Sequence, residues 1–90
     1  NSVAYMSLLF LVNNDNSNSS DHSVDLYRAQ DNTTYHFLTA KNLNNADFFQ
    51  FSGSFIVLEP GDLIKATVSG NSTPHSEVII TVEEVFLPNG

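Results

Sequence analysis

The chain has 90 residues, with ten acidic residues, three basic residues and no cysteine, which gives a formal net charge of −7 at pH 7. This length fits one domain with a modest core. The absence of cysteine excludes disulfides, thiolate zinc ligands and cysteine nucleophiles. Because the negative charge repels phosphate backbones and anionic lipid, the sequence predicts neither a nucleic-acid partner nor a membrane partner.

The first apolar run, residues 6–12, is too short for a membrane-spanning helix and lacks the flanking residues of a signal peptide. It belongs to a predicted strand, residues 3–13, whose near-continuous hydrophobicity indicates burial on both faces and a central position. A buried helix is the competing interpretation. Because the chain begins at Asn1 and enters this strand almost at once, we expect a single domain, residues 1–90, that lacks an upstream N-terminal segment.

The segment that follows, residues 13–21, contains only Asn, Asp and Ser. Because it has no hydrophobic residue to anchor it, we predict a long exposed loop. It resembles an oxygen-rich calcium loop, but Ser20 stands where the sharp turn needs Gly, and the bidentate Glu is absent. We therefore expect a solvated loop without a metal. Four of its side chains are expected to contact a partner at an outward tip: Asn14, Asp15, Asn16 and Asn18.

Three further strands are predicted at residues 23–30, 33–40 and 47–51. In the last of them, adjacent Phe48 and Phe49 must point to opposite sides, so only one ring can face the core. We expect a neighbouring subunit to cover the outward ring. The predicted subunit contact consists of Phe48 together with the Leu9 and Leu11 face of the first strand.

The clearest turn lies at Pro60-Gly61, where Pro presets φ for the first central position of a type II turn and Gly accepts the positive φ of the second. The flanking runs predict a hairpin within residues 54–68. A last strand with a period of two is predicted at residues 76–87. About seven strands without helical periodicity predict an all-β fold, either an antiparallel β-sandwich or a jelly-roll-like barrel.

Residues that could carry out catalysis are dispersed along the chain. His22, His36 and His75 have no recognisable nucleophile or acid beside them in a motif. Glu77 and Glu83 share a strand face but lie about 20 Å apart at the rise of a strand, too far for the paired carboxylates of a glycosidase. The sequence therefore predicts no enzymatic activity, no metal and no cofactor.

Two segments, residues 51–69 and residues 78–84, carry a resemblance to a known family, and residues 31–43 add to it. They resemble small virion structural proteins of tailed bacteriophages, particularly phages of marine bacteria and cyanobacteria. The resemblance covers residues 5–84, although the opening strand with a Val-Pro-Ala-Gly-like turn that family members often have is missing. It implies a non-enzymatic β-sandwich subunit of the virion, in a head-decoration, neck or tail-associated position. Its implied partners are copies of itself and other virion proteins.

A carbohydrate-binding or adhesin module that contacts a host surface glycan is the alternative from a different class. Such a module needs exposed aromatic rings beside polar groups in a groove. Burial of all ten aromatic rings, seven Phe and three Tyr, would count against it.

Overall fold

The computed structural model describes residues 2–86, which form seven strands and, within that range, no helix. Two antiparallel sheets pack face to face, which confirms the predicted all-β antiparallel sandwich. None of the described residues forms a helix with the length and hydrophobicity needed to cross a membrane. The predicted end of the last strand at Leu87 lies outside the described residues. The strands are β1 (Ser2–Asn13), β2 (Ser20–Arg28), β3 (Thr33–Leu43), β4 (Phe48–Phe51), β5 (Ile56–Leu58), β6 (Leu63–Ser69) and β7 (Ser76–Phe86).

Sheet A is built around β1, as the continuous hydrophobicity of that strand predicts. β7 pairs with one side of β1 from end to end, while β4 and β5 pair with its other side. The predicted central position of the first strand is therefore confirmed. Sheet B has the order β3-β2-β6, so β2 is its central strand.

The core lies between the two central strands. Met6, Leu9 and Leu11 of β1 contact Val24 of β2, and all four side chains are at most 3% exposed. Met6 and Leu9 can both face inward because the register of β1 against β7 shifts at Ser7, where a bulge inserts an extra residue. The bulge therefore determines which residues of the apolar run are buried.

The Pro60-Gly61 turn forms as predicted, but it does not close a hairpin. The N–H of Asp62 donates to the carbonyl of Glu59 at 3.0 Å, and Gly61 has a φ of 89°, as a type II turn requires. However, β5 before the turn pairs with β1 in sheet A, whereas β6 after it pairs with β2 in sheet B. The predicted hairpin is wrong because the chain changes sheets at this turn.

The Asp62 carboxylate holds this crossing in place. It accepts hydrogen bonds from the N–H of Glu59 and the N–H of Ala29, each at 2.9 Å. It also forms an ion pair with Arg28 at 2.7 Å. These contacts lower the pKa of Asp62, with the Glu59 N–H as the largest cause and the Ala29 N–H as the next. Arg28 also donates to the carbonyl of Val57 in sheet A, so the cluster ties the two layers together.

Candidate functional site

An apolar surface occupies the middle of the outer side of sheet A. Leu8, Phe10 and Val12 alternate with the buried residues of β1 and therefore point away from the core. The register places Phe48 beside Val12 and Ile79 beside Phe10, and these two added side chains are 53% and 57% exposed. The Phe10 and Phe48 rings stack with their centroids 5.2 Å apart. We call these five residues the A face.

The outer side of sheet B is polar where the A face is apolar. His36 and Asp25 form an exposed pair at 2.8 Å, and Lys65 lies at the register position opposite Asp25 on the other neighbouring strand. A sheet side that faces water normally carries such residues, whereas a contiguous apolar side indicates contact with another surface. The outer sides of sheet A and sheet B therefore differ in polarity.

The expected contact face of Leu9 and Leu11 is corrected by the structure. Both side chains lie in the core, at 0% and 3% exposure, and cannot touch a neighbouring subunit. The uniformly apolar run of β1 hides which alternate set faces inward, and the Ser7 bulge changes the alternation partway along. Phe48 is exposed on the A face, so it is available for the contact that the sequence predicts, and that role stays a prediction.

The loop between β1 and β2 is less outward than expected. Asp15 is only 6% exposed, and its carboxylate accepts hydrogen bonds from the N–H groups of Ser17 at 2.9 Å and Asn18 at 3.0 Å, and from the Asn71 amide at 3.1 Å. These bonds, with that from Ser17 the largest cause, lower the pKa of Asp15 to about 2. Asp15 therefore organises the loop rather than contacting a partner at its tip.

The other three loop residues expected at the tip are exposed: Asn14, Asn16 and Asn18. The Asn14 amide donates to the Glu77 carboxylate at 2.6 Å, which joins the loop to β7. Within residues 2–86, no group of three or more acidic, His or Cys side chains is placed to hold a metal ion. A contact between these asparagines and a partner stays a prediction.

A second candidate surface, an open cleft, lies at the other end of sheet A. Tyr5 and Phe55 meet edge to face with their ring centroids 5.2 Å apart, and Phe55 is 57% exposed. Ser7, Ser54 and Glu83 line the same cleft, which has a volume of about 630 Å³. The Tyr5 cleft thus combines aromatic rings with hydroxyl and carboxylate groups, the combination that a sugar-binding groove needs.

One histidine contacts a hydroxyl that could act as a nucleophile. His22 is 1% exposed, and its Nε2 lies 2.7 Å from Ser76 Oγ, while its Nδ1 lies 3.2 Å from the carbonyl oxygen of Ser20. Because a carbonyl can only accept, Nδ1 carries the proton and Nε2 accepts from Ser76. In the described part of the chain, no carboxylate forms a hydrogen bond or ion pair with this ring, and the pair joins β2 to β7 across the layers.

Comparison with models of protein families, with curated proteins and with solved structures gives no match to this chain. The A face and the Tyr5 cleft are therefore interpreted from their own chemistry. Sequence reasoning found Phe48 but missed Phe10 and Ile79. Ile79 could have been noticed. Val78, Ile80 and Val82 form one side of β7, and Ile79 is an apolar residue on the other side, where its neighbours are polar.

Proposed function

We propose that this chain is a non-enzymatic structural subunit that assembles with copies of itself through the A face, as part of a bacteriophage virion. The single observation that supports assembly is that the outer side of sheet A exposes apolar and aromatic side chains, whereas the outer side of sheet B is polar. The virion is supported by the resemblance of residues 5–84 to small virion structural proteins. A head-decoration, neck or tail-associated position fits that resemblance.

The size of this sheet is suited to a modest interface. The 12 residues of β1 give the outer side a length of about 40 Å, and three strands give it a width of about 14 Å. Two such sides in contact cover on the order of 1,100 Å², slightly more than the ~1,000 Å² expected of a specific interface. A contact of this size uses the whole outer side of sheet A, of which the A face is the apolar part.

The side chains of the A face favour association at low entropic loss. Val12 and Ile79 are β-branched, and the stacked Phe10 and Phe48 rings already restrict each other. Glu77 and Glu83 lie on the same side of β7, at the edge of the sheet, where a polar rim is normal. The stacked ring pair is therefore expected to be the energetic centre of the contact.

Sedimentation velocity over a range of concentrations tests this proposal. We expect the wild-type chain to form a discrete oligomer and the double variant Phe48→Ser/Ile79→Ser to sediment as a monomer. Leu63→Ser is the matched control, because Leu63 is 61% exposed on sheet B and should not affect the mass. A wild-type monomer at millimolar concentration would refute assembly through this face.

The virion location needs a separate experiment, because an oligomer alone does not identify the particle. Peptides of this chain should be recovered by mass spectrometry from purified phage particles whose genome encodes it. Their absence from such particles, in a lysate that contains the chain, would refute the virion assignment and leave the assembly proposal standing.

Carbohydrate binding is the second candidate function, and the Tyr5 cleft is the observation that favours it. Aromatic rings are not all buried, since Phe48 and Phe55 are more than half exposed. If the cleft binds sugar, a glycan array should show binding that Phe55→Ala abolishes. Tyr35→Ala, which removes a 48% exposed ring on sheet B, should leave that binding unchanged. No binding on the array would remove this candidate.

A further inference from the structure

β7 differs from the other edge strands because no residue within 2–86 blocks its free edge. It runs for 11 residues without a bulge of its own, a Pro, a Gly or a Lys. In contrast, β3 carries Ala40 with a φ of 48° and Lys41, and the edge formed by β4 and β5 is interrupted between Phe51 and Ile56. Proteins usually protect an edge strand with such features, so the regular edge of β7 is suited to pairing with another strand.

The core is also open beside β7. Register places Val78, Ile80 and Val82 on the same side of sheet A as the buried residues of β1, yet they are 40–48% exposed. On the opposite side of the sandwich, the core is closed by Phe37 of β3 and Phe51 of β4, whose rings meet edge to face at 5.3 Å. In the described part of the chain, the core is therefore less covered beside β7 than between β3 and β4.

A cleft lies at this open side, between β6 and β7. It has a volume of about 120 Å³, and its apolar lining includes Leu11, Ala66, Val68 and Val78. Ala66 faces the cleft because it pairs with the buried Val24, but it is itself exposed. Small and medium apolar side chains of one added strand would fit into this space, since side chains on one face of a strand project every second residue.

The charge of β7 indicates which kind of strand fits. Its three acidic residues are Glu77, Glu83 and Glu84, and the ion pairs formed among residues 2–86 involve other carboxylates. Antiparallel pairing of two β7 strands about Ile80 would set Glu77 opposite Glu83 of the second copy, an unfavourable pair between chains that each carry a net charge of −7. A basic partner strand gains attraction at the same positions.

We propose that the open side between β6 and β7, the acceptor edge, binds an extended segment of a different protein. The segment adds to β7 as a new strand, directs alternate apolar side chains into the cleft, and places Lys or Arg on the opposite side, beside Glu77 and Glu83. This is β-strand addition, in which main-chain hydrogen bonds supply affinity and alternate side chains supply specificity. The acceptor edge shares only Ile79 with the A face, because the other four A-face residues lie on β1 and β4, so the proposal does not depend on self-assembly.

Binding of a synthetic peptide tests the proposal. The probe has the length of β7, 11 residues, and alternates Val with Lys and Thr; the control peptide carries Glu in place of Lys. We expect the basic peptide to bind the wild-type chain at least about tenfold more tightly than the control, and its affinity to fall as salt is raised. No binding, or equal binding of the two peptides, would overturn the proposal.

Two variants locate the bound peptide. Ala66→Lys fills the cleft and should abolish binding, whereas Ser69→Lys adds the same charge on the other side of β6 and should leave most of it intact. In the wild-type chain, hydrogen exchange should slow along β7 when the peptide is present and stay unchanged along β3, which keeps the test valid if Ala66→Lys fails to fold. Protection of β3 instead, or a dimer formed by β7 without any peptide, would refute the acceptor edge.

The same peptide separates this inference from the proposed self-assembly. Phe48→Ser should weaken the oligomer and leave peptide binding unchanged, because Phe48 lies on β4, on the other side of β1 from β7, and does not line the cleft. Loss of peptide binding in this variant would show that the peptide binds the A face and would contradict the acceptor edge.

Discussion

Buried polar side chains hold the loop of residues 14–19 against the ends of the strands. Asn13 is fully buried, and its amide donates to the carbonyls of Asn18 at 2.9 Å and Leu43 at 3.0 Å. Its side-chain oxygen accepts from the N–H of Asp15 at 2.9 Å. Among residues 2–86, no buried side-chain N or O atom lacks a partner. The loop that composition alone describes as solvated is therefore built around two buried polar residues.

The lowered pKa of Asp15 predicts a loss of stability in acid. A carboxyl group whose pKa is depressed in the folded state stabilises the fold above its unfolded pKa, and this contribution disappears as the pH falls through the folded pKa. For Asp15 the range extends from 3.8 down to about 2. Denaturant unfolding at several pH values should show a smaller decline for Asp15→Asn than for the wild-type chain across that range. Parallel curves would contradict the role of Asp15.

Truncation of Leu9 should destabilise the monomer, whereas truncation of Phe48 should weaken the oligomer. Leu9→Ala leaves a cavity in the core and should lower the free energy of unfolding by about 2–5 kcal/mol. Phe48→Ala removes an exposed ring and should change the stability of the monomer by less than about 1 kcal/mol while weakening the oligomer. Chemical denaturation of dilute samples measures both. A large loss of monomer stability in Phe48→Ala would place that ring in the core instead.

At the scale of elements, the turns determine where the chain changes layers. Gly61 has a φ of 89°, and a Cβ added there would lie 2.9 Å from the Cβ of Ala29. Gly53 has a similar φ of 79°, but nothing lies within 4 Å of an added Cβ. The two glycines therefore separate backbone strain from a steric clash.

Alanine substitution at the two glycines should show this difference. Gly53→Ala should lower the free energy of unfolding by about 1 kcal/mol, because the only cost at this position is the backbone strain of an L residue at positive φ. Gly61→Ala should lower it by about 2–3 kcal/mol, because the crossing between sheets must also shift to relieve the clash. Thermal or chemical unfolding checks the order. Equal losses would mean that the turn is free to move away from Ala29.

Local chemistry predicted the elements better than their pairing. Pro60-Gly61 specifies a reversal by its backbone preferences, and the apolar run of β1 specifies a central strand by its composition. Neither signal states which strand lies next to which, since pairing depends on side chains distant in sequence. The predicted end of the third strand at residue 40 was wrong for the same reason: β3 continues to Leu43, which is 1% exposed and pairs with Ser20.

The candidate surfaces were predictable only in part. Phe48 could be recognised because two adjacent Phe residues cannot both face the core. The β1 residues Leu8, Phe10 and Val12 could not, because the Ser7 bulge reverses the alternation within an apolar run that shows no period of two. The contact between Asp15 and Asn71 was missed because Asn71 is distant in sequence. The contacts with the N–H groups of Ser17 and Asn18 are local and follow from the tendency of Asp to accept from the backbone two or three residues on.

At the scale of the molecule, the sandwich is thin and leaves much apolar surface uncovered. The chain extends 52 × 24 × 19 Å by its principal axes. Within residues 2–86, six hydrophobic side chains are buried while ten large ones are exposed, and most of the exposed ones belong to sheet A. A small domain with a modest core gains stability from an interface that removes such side chains from water. Assembly and stability are therefore expected to be linked in this protein.

The absence of native cysteine allows a direct measurement of how copies meet. Thr81→Cys places a single spin label at the rim of the A face, next to Leu8, and Lys65→Cys places one on the outer side of sheet B. Sheets stacked face to face lie about 10 Å apart. If copies meet through the A face, dipolar coupling should show a short, narrow distance between Thr81 labels and a longer distance between Lys65 labels. The reverse order, or no coupling at either position, would contradict assembly through the A face.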